Sequence, residues 1–210
     1  MLRVTALVAA CSLVAMAHDP DFSLTLAAAP PREEPIARRP LFEGAPDDVP
    51  VVALLEDGEL LTEDRLDALG IDADDAFAEA LDDLEDRDAG WVEQIIPVKG
   101  GADLRIAVRA GDEAQAVEML VPGVLEAAAE LLGASELAIA IPTAASLLVT
   151  DARQKWQLVA AFSAAARMQC AAAGEAALWP GVLRAEDGRI RGVIDLRTAS
   201  LDAASRRTPR

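Results

Sequence analysis

Residues 137–151, which read LAIAIPTAASLLVTD, decide the fold of this chain. Two apolar runs, residues 137–141 and 147–150, stand on either side of the segment PTAA at residues 142–145. Short apolar runs separated by a proline-containing turn are typical of paired antiparallel strands. The stretch therefore predicts a β-hairpin.

Helical patterns flank this hairpin. Before it, Asp112 is a helix cap, Pro122 restarts the helix and Gly133 ends it. After it, a long helix is predicted from Asp151 or Ala152 to about residue 173, ended by Gly174. The residues expected to form broad apolar faces against a sheet are Val117, Leu120, Val121, Val124, Leu125, Ala128, Leu131 and Leu132 in the first helix, and Trp156, Val159, Ala160, Phe162 and Ala166 in the second.

Three further hairpins are predicted from apolar runs that bracket turn residues. Their turns are Asp57-Gly58, Gly100-Gly101 and the segment EDG at residues 186–188. Hairpins that alternate with helices predict an α+β fold. We expect a single domain over residues 51–197, with a mainly antiparallel sheet built from hairpins and helices packed on it.

The ends of the chain differ from this domain. Residues 1–17 are a short apolar segment that fits either a short signal peptide or an apolar part of the fold. Residues 18–50 are rich in Pro and predict a linker or arm, with a short strand at residues 22–26. Residues 198–210 are polar and basic and predict a disordered tail. The cysteine usage favours a cytoplasmic location, and export through residues 1–17 is the alternative.

Several residue types that carry most enzyme chemistry are scarce. The chain has one His (His18), no Tyr, two Lys (Lys99 and Lys155) and two Cys (Cys11 and Cys170). The histidines and cysteines needed for a catalytic triad or a His/Cys zinc site are therefore missing. No phosphate-binding loop is visible in the sequence. We expect solvated lysines, a core role for Cys170 and for the three tryptophans, and no catalytic residue, cofactor or metal.

Acidic residues dominate one quarter of the chain. Between residues 47 and 93 there are 18 acids and two arginines, so this quarter carries −16 of the formal net charge of −17. Thr62 predicts the start of a helix closed by Gly70, and Asp72 the start of a second helix with Asp75 at its third position, much like a capping box. Leu66, Leu69, Phe77, Leu81 and Leu84 are expected to be buried, while the acids point to water.

We call the acids of these two helices the acidic face and treat them as the candidate interaction site. Its residues are Glu63, Asp64, Asp67, Asp74, Asp75, Glu79, Asp82 and Asp83. The acids do not follow the spacing of a calcium-binding EF-hand loop. Such a surface repels phosphate backbones and anionic membranes, so nucleic acid is not an expected partner. The expected partner is a protein with a basic surface.

Residues 59–84 (ELLTEDRLDALGIDADDAFAEALDDL) and 137–151 resemble the YtpQ-type family of uncharacterised bacterial proteins. The shared features are a Thr-Glu-acid helix closed by Gly, a helix ending in an Ala-x-x-x-Leu pattern, and two apolar strands around a Pro turn. The resemblance covers roughly residues 51–196 and implies a small α+β domain without an established activity. In the family a polar residue, Arg and Asp often follow the turn proline, whereas Pro142 is followed here by TAA. We favour a turn-pinning role for that pair, whose loss leaves the fold intact; a chemical role is the alternative.

Three functional hypotheses remain. The first is a non-enzymatic, chaperone-like or accessory module that binds a basic protein through the acidic face. The second is a hydrolase or transferase based on carboxylates, which needs a buried Asp or Glu with a raised pKa in an apolar pocket. The third is an exported accessory protein. The oligomeric state and the identity of the partner do not follow from the sequence.

Overall fold

The computed structural model describes residues 22–28, 36–85, 90–98, 102–110 and 115–196. Ten strands and four α-helices follow one another along these segments. They are β1 (Phe22–Ala27), β2 (Arg38–Pro40), β3 (Val51–Glu56), β4 (Glu59–Leu60), α1 (Glu63–Leu69), α2 (Ala73–Glu85), β5 (Gly90–Val98), β6 (Ala102–Ala110), α3 (Val124–Leu132), β7 (Glu136–Ala140), β8 (Leu148–Asp151), α4 (Trp156–Ala173), β9 (Leu183–Glu186) and β10 (Arg189–Val193). Short 3-10 helices lie at Ala116–Leu120 and Gly174–Ala176. The α+β class is confirmed.

The strands form two antiparallel sheets rather than one. The first sheet has the order β1-β3-β2, with β4 paired to the end of β3. The second sheet has the order β10-β9-β7-β8-β6-β5. The hairpin predicted from residues 137–151 is confirmed, because β7 and β8 pair in antiparallel register at the centre of the second sheet.

The prediction of a linker over residues 18–50 is wrong for the part that the structure describes. β1 pairs with β3 over six residues, and β2 pairs with the same strand over three. Alternate residues of β1 are buried, so the strand belongs to the core: Phe22, Leu24 and Leu26. Pro40 is tolerated because it ends an edge strand, where its missing N–H is not needed. The predicted strand at residues 22–26 is confirmed.

The turn predictions hold wherever the structure describes the turn. Asp57 and Gly58 have φ angles of 53° and 83°, and Asp187 and Gly188 have 51° and 68°. Positive φ at both central residues is what a two-residue type I′ hairpin requires. β5 and β6 are paired as expected, while the turn that joins them, like Asp112, lies outside the described residues.

Helix ends agree with the capping residues at most positions. The Thr62 hydroxyl accepts from the Arg65 backbone N–H, and Gly70 closes α1 in the left-handed conformation. Gly133 closes α3 in the same way. Leu66, Phe77 and Leu84 are buried, as predicted, and Leu69 and Leu81 are partly buried.

The predicted start of the long helix at residue 151 or 152 is wrong. Asp151 is still paired with Leu137 in the second sheet, and its side chain accepts from the Arg153 backbone N–H in a tight turn. α4 therefore begins only at Trp156. Trp156 consequently lies at the exposed end of the helix with 36% of its surface accessible, rather than in the core.

The core has two parts, one on each face of the second sheet. The larger part is shared by the second sheet, α3, α2 and the inner face of the first sheet. The smaller part lies between the second sheet and α4, around Phe162. The described part of the chain is thus layered, with α4 on one face of the second sheet and the other three α-helices and the first sheet on the opposite side.

Candidate functional site

All eight residues of the acidic face are exposed. On α2 the acids and the buried residues occupy opposite halves of the helix circumference, as a 3.6-residue repeat dictates. Asp74 is paired with Arg39, whose guanidinium also lies over the ring of Phe77. None of the other seven forms an ion pair with a residue in the described segments.

Arg65 is the arginine nearest in sequence to these acids, and it is engaged elsewhere. Its Nε and Nη2 atoms donate to the two oxygens of Glu56 at 2.9 and 2.7 Å. This bidentate hydrogen bonding lowers the pKa of Glu56 and raises that of Arg65. The Arg65 guanidinium is therefore paired with Glu56 at the end of β3, and it does not neutralise the acidic face.

The arrangement of acids on α2 opposes helix stability in two ways. Asp75, Glu79 and Asp83 are spaced by four residues, so like charges lie next to each other on the helix surface. Asp82 and Asp83 lie near the C-terminal end, where the helix dipole disfavours negative charge, and the last turn has no basic residue. Helix stability therefore does not explain Glu79, Asp82 and Asp83, whereas Asp74 and Asp75 lie in the first turn, where the dipole favours acids.

We expect Glu79→Lys to stabilise the protein by about 1 kcal/mol, because it converts two repulsive i,i+4 pairs into attractive ones. Urea unfolding measures the difference. Glu175→Lys makes the same change of charge in a short 3-10 helix outside α2. Equal stabilisation by both variants would show that net charge, and not the row along α2, is responsible.

One acid, Glu118, is buried, with 1% of its surface accessible. Its Oε2 accepts from Arg109 Nε at 2.6 Å, and its Oε1 accepts from the Gln115 backbone N–H at 2.8 Å. The Arg109 guanidinium lies 5.7 Å from the ring centre of Trp91, and the indole N–H of Trp91 donates to the Val124 carbonyl. Oε2 therefore ties the 3-10 helix at Ala116–Leu120 to β6, while Oε1 caps the N-terminus of that same helix.

A cleft bordered by a tryptophan lies at the N-terminal end of α4. It has a volume of about 500 Å³ and is lined in part by Trp156, Glu136, Arg184 and Val193. Glu136 accepts from Arg184 Nε at 2.6 Å, so its carboxylate is neutralised by a salt bridge. The cleft therefore offers a carboxylate held in an ion pair rather than an isolated acid.

The remaining candidate groups are distributed as follows. Cys170 is buried on the sheet-facing side of α4, and Lys155 is exposed just before that helix. Trp179 is buried and Trp91 is partly buried. His18, Cys11 and Lys99 lie outside the described residues. Within the described segments, no three metal-binding side chains come together, and none of the helices has the length and apolarity needed to cross a bilayer.

Sequence reasoning missed a second exposed surface, on β5. Three of its apolar side chains are exposed: Val92 by 49%, Ile95 by 62% and Ile96 by 40%. Adjacent apolar residues in a strand, here Ile95 and Ile96, point to opposite faces and are the signal that could have revealed it. The buried Glu118 had a signal too, since it interrupts the apolar run AVEML.

Comparison of this chain with models of known protein families, with characterised proteins and with solved structures found no match.

Proposed function

We propose that this protein is a non-enzymatic interaction module that binds a protein with a basic surface through the acidic face. The observation that carries the proposal is the group of seven exposed carboxylates without an ion-pair partner among the described residues. A concentrated negative surface accelerates association with a positively charged partner and excludes negatively charged ones.

The energetic cost of Glu79, Asp82 and Asp83 supports this role. The row of like charges and the acids at the C-terminal end of α2 both reduce the stability of the helix. Surface features that reduce stability are often retained at functional sites. A surface that served solubility alone would gain as much from acids placed anywhere else.

The test uses a lysine-rich peptide as the probe and measures its affinity by fluorescence anisotropy. Amide replacement of four acids of the acidic face, Asp64→Asn, Asp67→Asn, Asp75→Asn and Glu79→Gln, is expected to weaken binding at least tenfold. The affinity for the unmodified protein should also fall as salt is added, because exposed charges are screened.

The matched control removes the same number of charges elsewhere. Its four substitutions are Asp103→Asn, Glu130→Gln, Glu175→Gln and Asp187→Asn, all at exposed positions outside α1 and α2. We expect this variant to lose less than threefold in affinity. Similar losses in both variants would mean that the peptide senses only net charge, and the proposal would then be wrong.

The carboxylate enzyme has less support. A carboxylate-based hydrolase or transferase requires a buried acid in an apolar pocket. The buried Glu118 instead accepts hydrogen bonds at both oxygens, from Arg109 and from a backbone N–H. We also propose, from the resemblance of residues 59–84 and 137–151, that the chain is related to the YtpQ-type family, and from the cysteine usage that it is cytoplasmic. Cell fractionation of the protein with and without residues 1–17 would distinguish this location from export.

A further inference from the structure

The two edges of the second sheet are built differently. β10 is short, its pairing with β9 is interrupted by a bulge between Ile190 and Gly192, and two exposed arginines, Arg189 and Arg191, lie on it. Short strands, bulges and charges are the usual means of preventing edge-to-edge pairing. β5 is nine residues long, regular in its pairing with β6, and carries one charged residue, Glu93. Apart from Pro97 near its end, this edge lacks the protection that the other edge has.

The hydrogen bonds of β6 show which backbone groups of β5 point outward. The Arg109 N–H donates to the Leu147 carbonyl, and the Arg105 carbonyl accepts from the Thr150 hydroxyl. Odd-numbered residues of β6 therefore direct their backbone groups toward β8, and even-numbered ones toward β5. In the β5–β6 register, even-numbered residues lie opposite even-numbered ones and odd-numbered residues opposite odd-numbered ones. The even-numbered residues of β5 therefore bond to β6, and the backbone groups that point away from β6 belong to Trp91, Glu93, Ile95 and Pro97.

Exposed apolar side chains of this edge lie on both faces of the sheet. Val92 and Ile96 lie opposite Val108 and Leu104, which pack toward α4. α4 packs on β6, β7 and β8, and both β5 residues stay exposed. Ile95 lies on the other face, opposite Arg105, and is the most exposed of the three.

We propose that β5 pairs with β5 of a second copy of this chain, antiparallel, around a two-fold axis at Gln94. This register sets Val92 opposite Ile96 of the second copy, and Ile96 opposite its Val92, so two apolar pairs flank the axis. Glu93 faces Ile95 rather than another acid. The sequence of β5 is thus self-complementary about its central residue, as a two-fold interface requires.

The backbone and the charges fit the same register. Glu93 and Ile95 both direct their N–H and carbonyl groups outward, so they form a doubly hydrogen-bonded pair across the axis. At each end of the ladder, the Trp91 N–H of one copy donates to the Pro97 carbonyl of the other copy. Pro97 has no N–H to donate in return, so this pair has a single hydrogen bond and the ladder stops there. Arg105 neutralises Glu93 within each chain and lowers its pKa. The only charge on β5 is therefore compensated before pairing.

The size of the contact predicts a weak dimer. Nine residues of a strand span about 30 Å, and the buried surface is on the order of 500 Å² on each chain, below the roughly 800 Å² of a standard stable interface. We therefore expect a dissociation constant in the micromolar range. Because each chain carries a formal charge of −17, added salt should strengthen the dimer by screening the long-range repulsion. Binding of a basic partner to the acidic face has the opposite salt dependence, so the two proposals fail independently.

Sedimentation velocity of the full chain over a range of concentrations and salt tests the proposal. Val92→Lys and Ile96→Glu should each weaken the dimer at least tenfold, because each places a charge against an apolar residue. The double variant Val92→Lys/Ile96→Glu should recover it, since the introduced lysine of each chain then faces the introduced glutamate of the other. Leu60→Lys changes an exposed apolar residue of β4 in the same way and should leave dimerisation unchanged.

Disulfide formation tests the register directly. In a chain with Cys11→Ser, Gln94→Cys places two thiols across the axis in a non-hydrogen-bonded pair, with Cα atoms about 4.5 Å apart, within the range of a disulfide. We expect a covalent dimer on mild oxidation. Val92→Cys, whose thiols lie on opposite sides of the axis, should not give one. A chain that stays monomeric at about 1 mM, or a dimer that Val92→Lys does not weaken, would overturn the proposal and leave this edge to a strand of another protein.

Discussion

Deletion of residues 1–50 is expected to leave a chain that does not fold. The deletion removes β1 and β2, the strands on either side of β3. It also removes six large apolar side chains from the core: Phe22, Leu24, Leu26, Ile36, Leu41 and Val49. Burial of six such side chains contributes about 12 kcal/mol, which is as large as the whole free energy of unfolding of an ordinary domain. Circular dichroism and thermal unfolding of residues 51–210 measure the outcome.

The control for this deletion is the removal of residues 1–21 alone. That variant keeps β1 and every contact of the described residues with each other. It should therefore unfold cooperatively within a few degrees of the full chain. Cooperative unfolding of residues 51–210 would contradict the assignment of β1 and β2 to the folded domain and would restore the linker hypothesis.

The linker prediction failed for a physical reason that concerns long-range pairing. Over the described residues 36–50, the density of Pro correctly indicates the lack of long regular elements. It does not reveal that Leu24 and Leu54 lie opposite each other in adjacent strands, because strand pairing between distant segments leaves no local pattern. Turns behave differently, since Asp57-Gly58 and Asp187-Gly188 specify their conformation by themselves.

The same distinction applies to the surfaces. The acidic face was predictable because the helical repeat alone assigns residues such as Glu79 to the side opposite Phe77. The exposure of Ile95 was not, since it depends on which strand lies at the edge of the second sheet. Trp156 is exposed because Asp151 extends β8 and delays the start of α4. In both cases the exposure depends on how the strands pair in the sheet, which the local sequence pattern does not specify.

Replacement of Glu118 by Ala is expected to destabilise the protein by about 4 kcal/mol, the usual cost of removing one member of a buried ion pair. The variant leaves the Arg109 guanidinium, only 10% exposed, without its carboxylate, and the Gln115 N–H without its acceptor. For a chain of this size the loss corresponds to roughly 10 °C in Tm. Urea unfolding and calorimetry provide the two measurements.

Replacing both Arg109 and Glu118 tests whether their attraction adds net stability or only offsets the cost of burying the two charges. Arg109→Met/Glu118→Leu replaces the pair by apolar side chains of similar length, and such exchanges are often close to neutral. The Gln115 N–H still loses its acceptor, which costs about 1 kcal/mol. We therefore expect the double variant to be less destabilised than Glu118→Ala by about 3 kcal/mol. If the double variant is instead as unstable as the single one, the charges themselves hold the 3-10 helix against β6, through attraction that packing cannot replace.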